Sequence, residues 1–321
     1  MMPPAVSVIM NCLNSARHLR PALESLFAQT FEDFELIFWD NASTDESPDI
    51  VQDFSARFPD KIRCFRGADT VSLGAARNLA LACAHGRYLA FLDCDDLWCP
   101  QKLAEQVALF ETGSRVGLVC TDTEIFDGSR VLKRLFAETR PARGMVFSEL
   151  MERQWISMSS AMLRREALQG LTDEGETDFF DESLNVCEEA DVFYRIAHDW
   201  ELDFVDRPLT RWRMHGGNST FHKFGQFADE TLCILNKHCR IYPGYAVEHA
   251  ELVALLTRRA AFQKAVSLWR EGRNRHARVT IAPWKNASLK HRLFWWASFL
   301  PGSCFDLAAR AYFTLPAALR R

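Results

Sequence analysis

Residues 88–98 read YLAFLDCDDLW, an apolar run followed directly by three carboxylates in four positions. The run Tyr88-Leu89-Ala90-Phe91 is typical of a buried strand, so Asp93, Asp95 and Asp96 emerge together at its carboxyl end. Open α/β sheets bind ligands at that end of their strands. Carboxylates crowded there favour a hard divalent cation, Mg²⁺ or Mn²⁺, shared with a substrate diphosphate.

A helix cap is the alternative interpretation of this segment. Asp96 carries a side chain suited to an N-cap, and Pro100 would fall in the first turn of the next helix. Residues 88–100 alone leave the two interpretations open.

Composition limits the classes of protein to which the chain can belong. Its 321 residues, 48 % of them hydrophobic, suffice for one large α/β domain with an appendage or for two domains. A formal net charge of −4 argues against nucleic acid as the main partner. The ten cysteines form no CxxC pair, which indicates small core residues in a reducing compartment rather than a zinc site or a disulfide framework.

The ends of the chain bear on localisation. The sequence passes from Met1 to a predicted strand at Val6 without a basic or signal-like segment. No apolar run approaches the roughly 18 residues that a membrane span requires. We therefore expect a cytoplasmic protein.

Strand and helix patterns alternate along the first 125 residues, which predicts a mostly parallel, Rossmann-like sheet flanked by helices. The predicted strands are Val6–Asn11, Glu35–Trp39, Ile62–Phe65, Tyr88–Leu92 and Val116–Cys120. The predicted helices are Arg17–Ala28, Ser47–Phe58, Leu73–Ala84 and Gln101–Glu111. Because right-handed crossovers bring the carboxyl ends of parallel strands to one edge, we expect Asn11, Asp40 and Asp93 to converge there.

The regular alternation of strand and helix patterns ends after Thr121. Elements become irregular up to about Thr220, and helical patterns dominate from Phe221, notably over Glu251–Trp269. We divide the chain accordingly into residues 1–220, with halves at 1–125 and 126–220, and a helical region at 221–321.

Two strand-to-helix turns carry polar groups suited to a nucleotide. Asp40 and Asn41 can bind a base and a ribose, although a helix cap by Thr44 or Asp45 also explains the turn. Small residues at 74–76 allow a ligand close to backbone amides, and Arg77 would supply a cation for an anionic substrate. A solvated arginine on a helix is the alternative.

The order and spacing of several motifs resemble the inverting nucleotide-sugar glycosyltransferases of family 2, which have the GT-A fold. The resemblance covers roughly residues 5–220. Its components are Ser7–Asn14, Ala28–Phe31, Asp40–Asp45, Arg77-Asn78, Gly86 with Asp93-Cys94-Asp95-Asp96, and Arg213–Gly217.

The resemblance implies roles for individual side chains. Asn11, Asn14, Asp40, Asn41 and Arg77 would lie on the nucleotide, with Asn11 standing where many members have proline. Asp93 and Asp95 would form the DxD element, in which Asp95 coordinates the metal and Asp93 contacts the ribose or a metal-bound water. His215 would help to hold the diphosphate and the metal.

The segment Glu188–Arg195 resembles the family's E-D-x-D segment, whose second acid deprotonates the acceptor hydroxyl. Alignment on Asp191 and Arg195 makes Glu189 the first choice for the base, with Asp191 and Glu188 second. Acids at a helix amino terminus are also favoured by the macrodipole alone.

Residues 156–162, which read ISMSSAM, resemble the segment that lines the acceptor side. Ser159 and Ser160 belong to it, and Trp155 could stack on a sugar face or be a core residue. The Q-x-x-R-W segment of processive synthases is absent from the sequence, which favours transfer of one sugar per encounter.

The reaction implied is a single displacement by an acceptor hydroxyl, on a glycan or a lipid-linked saccharide, opposite the nucleoside diphosphate. A nucleotide-sugar-binding protein without catalysis is the alternative. A dehydrogenase-like fold is disfavoured, because residues 11–15 read NCLNS where G-x-G-x-x-G would stand.

The carboxyl-terminal segment Leu293–Pro301 combines aromatic and aliphatic residues, with Arg292 before it and Arg320-Arg321 near the end of the chain. It fits an interfacial helix pair on the inner face of a membrane. It fits equally a helix packed on the domain or on a second subunit of a homodimer.

Overall fold

The computed structural model describes residues 3–138, 140–172, 179–216 and 224–304. The chain divides into two compact units, Met1–Gly217 and Asn218–Arg321. Gly217, the expected boundary residues Thr220 and Phe221, and the basic pair Arg320-Arg321 lie outside the described residues.

The first unit contains a nine-stranded sheet. Its strands are β1 Val6–Cys12, β2 Phe34–Asp40, β3 Ile62–Arg66, β4 Tyr88–Phe91, β5 Leu97–Trp98, β6 Val116–Asp127, β7 Arg130–Arg134, β8 Met162–Arg164 and β9 Glu201–Arg213. The order is β3-β2-β1-β4-β8-β6-β9-β5, with β7 paired to β6.

In the described part of the first unit, eight helices accompany this sheet. They are α1 Ala16–Phe27, α2 Ser47–Arg57, α3 Leu73–Ala82, α4 Lys102–Thr112, α5 Leu135–Glu138, α6 Phe147–Glu152, α7 Arg165–Gln169 and α8 Glu188–Asp199, and a 3₁₀ helix spans Met158–Ser160. The predicted alternation of strands and helices from β1 to α4 is confirmed, with bounds that differ by one or two residues.

The second unit is helical, as expected. Its helices are α9 Phe224–Ile241, α10 Tyr245–Glu248, α11 Ala250–Arg270, α12 Asn274–Ile281 and α13 Leu289–Ala297, with 3₁₀ helices at Ala282–Trp284 and Gly302–Cys304. No helix in the described part of the chain combines the length and the apolar composition that crossing a bilayer requires.

Strand directions divide the sheet into two parts. β3, β2, β1 and β4 are parallel, as the βα alternation predicts. The three-residue β8 then runs antiparallel to both β4 and β6. β6 pairs with β9 in parallel, while β5 and β7 are antiparallel to their partners. The doubly wound pattern therefore ends at β4.

The apolar runs form strands because both faces of the parallel part are covered. Six of the seven residues of β1 are buried, among them Val6, Val8, Ile9 and Met10, and α1 packs its apolar face on the same core. The expectation that the cysteines are core residues is confirmed only in part. All ten are free thiols, but Cys64, Cys233 and Cys239 are exposed rather than in the core.

Gly86 lies where the chain entering β4 meets β1. Its amide donates a hydrogen bond of 2.7 Å to Ser7 Oγ, and Ser7 donates one of 2.6 Å to Glu35. A Cβ at Gly86 would lie 2.7 Å from the carbonyl carbon of Val6 and 2.8 Å from Ser7 Oγ. Only glycine allows this approach.

Gly86→Ala should therefore lower the free energy of unfolding by about 1–3 kcal/mol, because β1 must shift to admit the methyl group. Urea denaturation measures the effect. Gly170→Ala is the matched control, since an added Cβ there meets atoms only at 3.6 Å and beyond. Equal stability of the two variants would contradict the steric explanation.

Candidate active site

Hydrogen bonds join the turns that follow the carboxyl ends of β1 and β2. Asp40 Oδ1 accepts a hydrogen bond of 2.9 Å from the Ser43 amide, and Asn14 Oδ1 accepts one of 2.8 Å from the Thr44 amide. Asn14 and Ala42 adopt positive φ angles of 51° and 64°. The two turns thus hold each other in one conformation.

Asn41 fixes the loop before α3 to the turn after β2. Its side-chain amide donates a hydrogen bond of 2.9 Å to the Val71 carbonyl and accepts one of 3.1 Å from the Val71 amide. Asp45 accepts hydrogen bonds from the amides of Ala16 and Ser47 at the starts of α1 and α2. Asp45 thus binds the first amides of both helices, although the N-cap residue of α2 is Glu46 and makes no side-chain cap. Asp40 and Asn41 are 3 % and 5 % exposed, so their direct contact with a nucleotide stays a prediction.

The three acids after β4 point in different directions. Asp95 Oδ2 lies 2.9 Å from Nε2 of His215, at the end of β9. Asp96 is buried and accepts a hydrogen bond of 2.9 Å from the Arg213 amide. The cap interpretation is wrong, because α4 begins at Lys102 and its N-cap residue Gln101 makes no side-chain cap.

A hydrogen bond to Ser159 holds the turn that carries Asp93. Its amide donates a hydrogen bond of 3.1 Å to Ser159 Oγ, in the 3₁₀ helix before β8. Desolvation raises the pKa of Asp93 to about 6, with Arg77 acting in the opposite direction and Asp95 adding to the rise.

Arg77 lies at the centre of a buried charge cluster, and its side chain is only 4 % exposed. Its Nη1 donates a hydrogen bond of 2.7 Å to Glu188 and lies 3.6 Å from Glu189. Its Nη2 lies 3.6 Å from Asp93. These contacts favour a positioning role over the predicted contact with a nucleotide, which stays a prediction.

The three acids at the start of α8 have distinct environments. Asp191 is fully buried and accepts hydrogen bonds of 3.0 Å from Arg195. Glu188 is also buried, and its Oε2 has no hydrogen-bond partner among the described residues. Glu189 reaches solvent with 29 % of its side chain, and desolvation raises its pKa to about 8, with Glu188 adding to the rise and Arg77 opposing it.

The predicted acceptor-side residues lie in the interior. Trp155, Ser159 and Ser160 are each 5 % exposed or less. The Ser160 hydroxyl donates a hydrogen bond of 2.7 Å to the Ser157 carbonyl, while Ser159 supports Asp93. Their described contacts are structural, so a direct contact with an acceptor stays a prediction.

The side chains suit a divalent cation that is shared with a substrate. Asp95 and His215 offer carboxylate and imidazole ligands, which suit Mn²⁺, with Asp93 nearby in the same turn. Among the described residues, no three acids, histidines or cysteines form a complete metal cage. Mg²⁺ and Mn²⁺ in such sites take their remaining ligands from water and phosphates.

The structure adds two residues that the sequence did not single out. His18 stacks on His215 with ring centroids 5.0 Å apart, and Phe180 lies under the Arg77 guanidinium. Asn78 holds this aromatic residue in place through two hydrogen bonds of 2.9 Å to its backbone. The sequence around His18, a histidine within a predicted helix, gave no indication that its ring would stack on His215.

Arg77→Met should lower the free energy of unfolding by about 3–5 kcal/mol, because Glu188 would remain as an unpaired buried charge. Urea denaturation measures the loss. Arg20→Met is the control: it breaks the exposed 3.1 Å ion pair with Asp53 and should cost about 0.5 kcal/mol or less. Similar losses in both variants would contradict the buried cluster as a source of stability.

Comparisons with known proteins agree with this arrangement. Residues 7–172 match the family model described as Glycosyl transferase family 2. An uncharacterized glycosyltransferase of Nostoc is 40 % identical over 124 residues, 39 % of this chain and 38 % of the relative. The Escherichia coli UDP-Glc:alpha-D-GlcNAc-diphosphoundecaprenol beta-1,3-glucosyltransferase WfaP is 36 % identical over 107 residues, 33 % of this chain and 41 % of the relative. The chain thus spans about two-fifths of the length of these two relatives.

Solved structures share the fold at low sequence identity. The mannosyltransferase PcManGT from Pyrobaculum calidifontis, in complex with GDP-Man and Mn²⁺, aligns with a TM-score of 0.64 at 19 % identity, over 100 % of this chain and 83 % of its own. TarS of S. aureus, in complex with UDP-GlcNAc, aligns with a TM-score of 0.57 at 18 % identity, over 98 % and 92 %. The chain therefore has the GT-A fold. Because the family model spans more than half of its residues, the protein belongs to glycosyl transferase family 2.

Proposed function

We propose that this protein transfers a sugar from a nucleoside-diphosphate sugar to a hydroxyl group of a saccharide or a lipid-linked saccharide, with inversion and one sugar per encounter. The observation that carries the proposal is the Arg77 cluster. Glu189 and Asp93, the proposed base and a proposed donor contact, both lie 3.6 Å from this one guanidinium. Acceptor activation and donor binding would therefore occur side by side.

The donor would lie along the cleft between the β1 and β2 turns and the Asp93–Asp96 turn. In this proposal Asp40 and Asn41 would bind the base and the ribose, with Asn11 at the end of β1 and Asn14 on the turn after it. The similar proteins support this donor class: the name of WfaP specifies UDP-Glc, and TarS and PcManGT were solved with UDP-GlcNAc and GDP-Man.

Asp95 and His215, with Asp93, would hold a divalent cation against the diphosphate. PcManGT, which shares the fold, was solved with Mn²⁺. When bound, the metal ion would stabilise the negative charge that develops on the leaving diphosphate. The Asp95 carboxylate and the His215 imidazole lie 2.9 Å apart, so the same ion could contact both.

Glu189 would accept the proton of the acceptor hydroxyl as that oxygen attacks the anomeric carbon. It is the most exposed of the three α8 acids, whereas Asp191 is committed to Arg195 and Glu188 to Arg77. A general base works best when its pKa lies near the operating pH, and the raised pKa of Glu189, about 8, meets that condition.

We further propose that residues 1–220 are the catalytic domain, with a nucleotide-binding half at 1–125 and an acceptor half at 126–220. Residues 221–321 would be a separate helical region. Two relatives support the proposed acceptor class. They are WfaP and WfgD of Escherichia coli, which have the same named activity, and WfgD is 26 % identical over 64 % of this chain and 88 % of its own.

Asp95→Asn should abolish metal-dependent stabilisation by nucleotides, because the amide removes the negative charge from the proposed metal ligand. Thermal unfolding with UDP, GDP, CDP and dTDP, each with Mn²⁺ or with a chelator, measures the shift. Saturation at about 100 times the dissociation constant adds roughly 2.7 kcal/mol, which shifts Tm by several degrees.

Asp60→Asn, an exposed carboxylate in the turn between α2 and β3, is the control and should retain the wild-type shift. If no nucleotide raised the Tm of the wild-type protein, the donor-site assignment would be overturned.

Glu189→Gln should lower kcat about 10²- to 10⁴-fold while leaving the dissociation constant of UDP-Glc unchanged, because the amide cannot take the acceptor proton. Transfer of labelled glucose to a synthetic GlcNAc-diphospho-lipid measures this. In the wild type, kcat/KM should rise with pH through about 8, as Glu189 loses its proton beside Glu188, Arg77 and Asp93.

Glu166→Gln changes an exposed glutamate in the first turn of α7 and should leave transfer unchanged. Full activity of Glu189→Gln would rule out this base. Donor binding without transfer in the wild type, across UDP-Glc, UDP-GlcNAc and GDP-Man, would favour the binding-protein alternative.

A further inference from the structure

The carboxyl-terminal unit has a charge opposite to that of the rest of the chain. Residues 218–321 contain sixteen Lys and Arg against six Asp and Glu, a formal charge of +10. Residues 1–217 contain 22 against 36, a formal charge of −14. From Arg273 to Cys304 there are six basic residues and no acidic one. Such a segment attracts anionic surfaces even though the whole chain has a net negative charge.

Helix α13 and the turn after it expose a group of large apolar side chains, here called the aromatic face: Leu293, Trp296, Phe299 and Leu300. Trp296 is 70 % exposed and Phe299 56 %, with their ring centroids 6.0 Å apart. The opposite side of α13 is buried, because Phe294 packs edge-on against Trp269 of α11. The side chains of the aromatic face thus take no part in the core of their own unit.

Hydrogen bonds fix the backbone that presents this face. The Leu300 carbonyl accepts a hydrogen bond of 2.9 Å from Trp269 Nε1. The Ser298 carbonyl accepts bonds from Asn274 (3.0 Å) and Arg278 (2.8 Å). Phe299 and Leu300 are therefore held outward by an ordered turn, and binding through them requires little further ordering.

Basic side chains lie beside the apolar ones. The Arg278 guanidinium lies 4.4 Å from the centre of the Phe299 ring, and Lys285 Nζ lies 5.4 Å from the Trp295 ring. Arg275 in α12 and Arg292 in α13 are exposed. Tryptophan and phenylalanine flanked by Lys and Arg match the interfacial region of a bilayer with anionic headgroups.

We propose that the aromatic face docks the carboxyl-terminal unit on the surface of an anionic phospholipid bilayer, with Trp296 and Phe299 inserted and the basic residues on the headgroups. A second copy of this chain fits the face less well, because a symmetric contact would bring two basic surfaces together. Neither the donor site nor the proposed transfer reaction enters this inference.

Sedimentation with large unilamellar vesicles tests the proposal, without nucleotide or sugar acceptor. We expect the full chain to bind vesicles of phosphatidylcholine with about 30 mol % phosphatidylglycerol, and to bind pure phosphatidylcholine at least about tenfold more weakly. Binding should fall on raising NaCl from about 50 to about 500 mM, because salt screens the basic residues.

Two double variants separate the apolar and the electrostatic contributions. Trp296→Ser with Phe299→Ser should weaken the partition coefficient about tenfold or more, and Arg275→Glu with Arg292→Glu should remove the preference for anionic vesicles. The control Val247→Ser changes an aliphatic residue that is 82 % exposed in α10, beside Glu248, and should bind like the wild type. Unchanged Tm values would show that all variants fold.

Three results would overturn the proposal. They are failure of the wild-type chain to bind anionic vesicles at low salt, equal binding by the serine double variant, and a concentration-dependent dimer that this variant abolishes. The last result would assign the aromatic face to a second copy. None of them bears on the nucleotide shift measured with Asp95→Asn, so the two proposals fail independently.

Discussion

One buried cation, the guanidinium of Arg77, joins three parts of the catalytic cleft. Helix α3 carries it, the turn after β4 brings Asp93 to it, and the first turn of α8 brings Glu188 and Glu189. A buried charge is tolerated only when partner charges offset its desolvation. The position of α8 relative to the DxD turn is therefore set by electrostatic balance as well as by packing.

The same balance explains why two of the partners of Arg77 are weak acids. One cation cannot fully compensate three carboxylates, so the cluster would carry excess negative charge if all were ionised. Desolvation and the neighbouring carboxylates raise the pKa values of Asp93 and Glu189, which therefore keep their protons to a higher pH than exposed carboxyl groups do. A cleft of this kind takes up or releases protons as charged ligands enter and leave it.

The sequence predicted the parallel half of the fold well because its signals are local. β1, β2 and β4 are largely apolar runs, whereas β3 alternates and contains two arginines. The helices α1 to α4 each bury one face. β8 was not predicted, since three residues carry no periodicity and their pairing with β4 and β6 depends on contacts more than 40 residues apart. The long parallel pair of β6 and β9 escaped prediction for the same reason.

At the site, the residue types and their order were readable, and their contacts were not. The convergence of Asn11, Asp40 and Asp93 was expected from strand ends meeting at one sheet edge. The structure agrees, since Cys12 pairs with Asp40 and the Cys94 thiol, next to Asp93, donates a hydrogen bond of 3.2 Å to the Asn11 carbonyl. The burial of Arg77 could not be foreseen, because its partners at 188 and 189 are more than a hundred residues away. The direction of Ser159 depends on a 3₁₀ helix that the sequence does not announce.

That serine has a consequence for how the protein can change. The Ser159 hydroxyl holds the amide of Asp93, and its carbonyl accepts the Trp98 indole hydrogen bond at 2.7 Å. A substitution that reshaped this segment would shift the DxD turn in the same step. With the donor bound as proposed, a change in residues 157–160 would alter donor affinity even if none of them contacted the donor, and compensating changes near β4 would be needed to restore it.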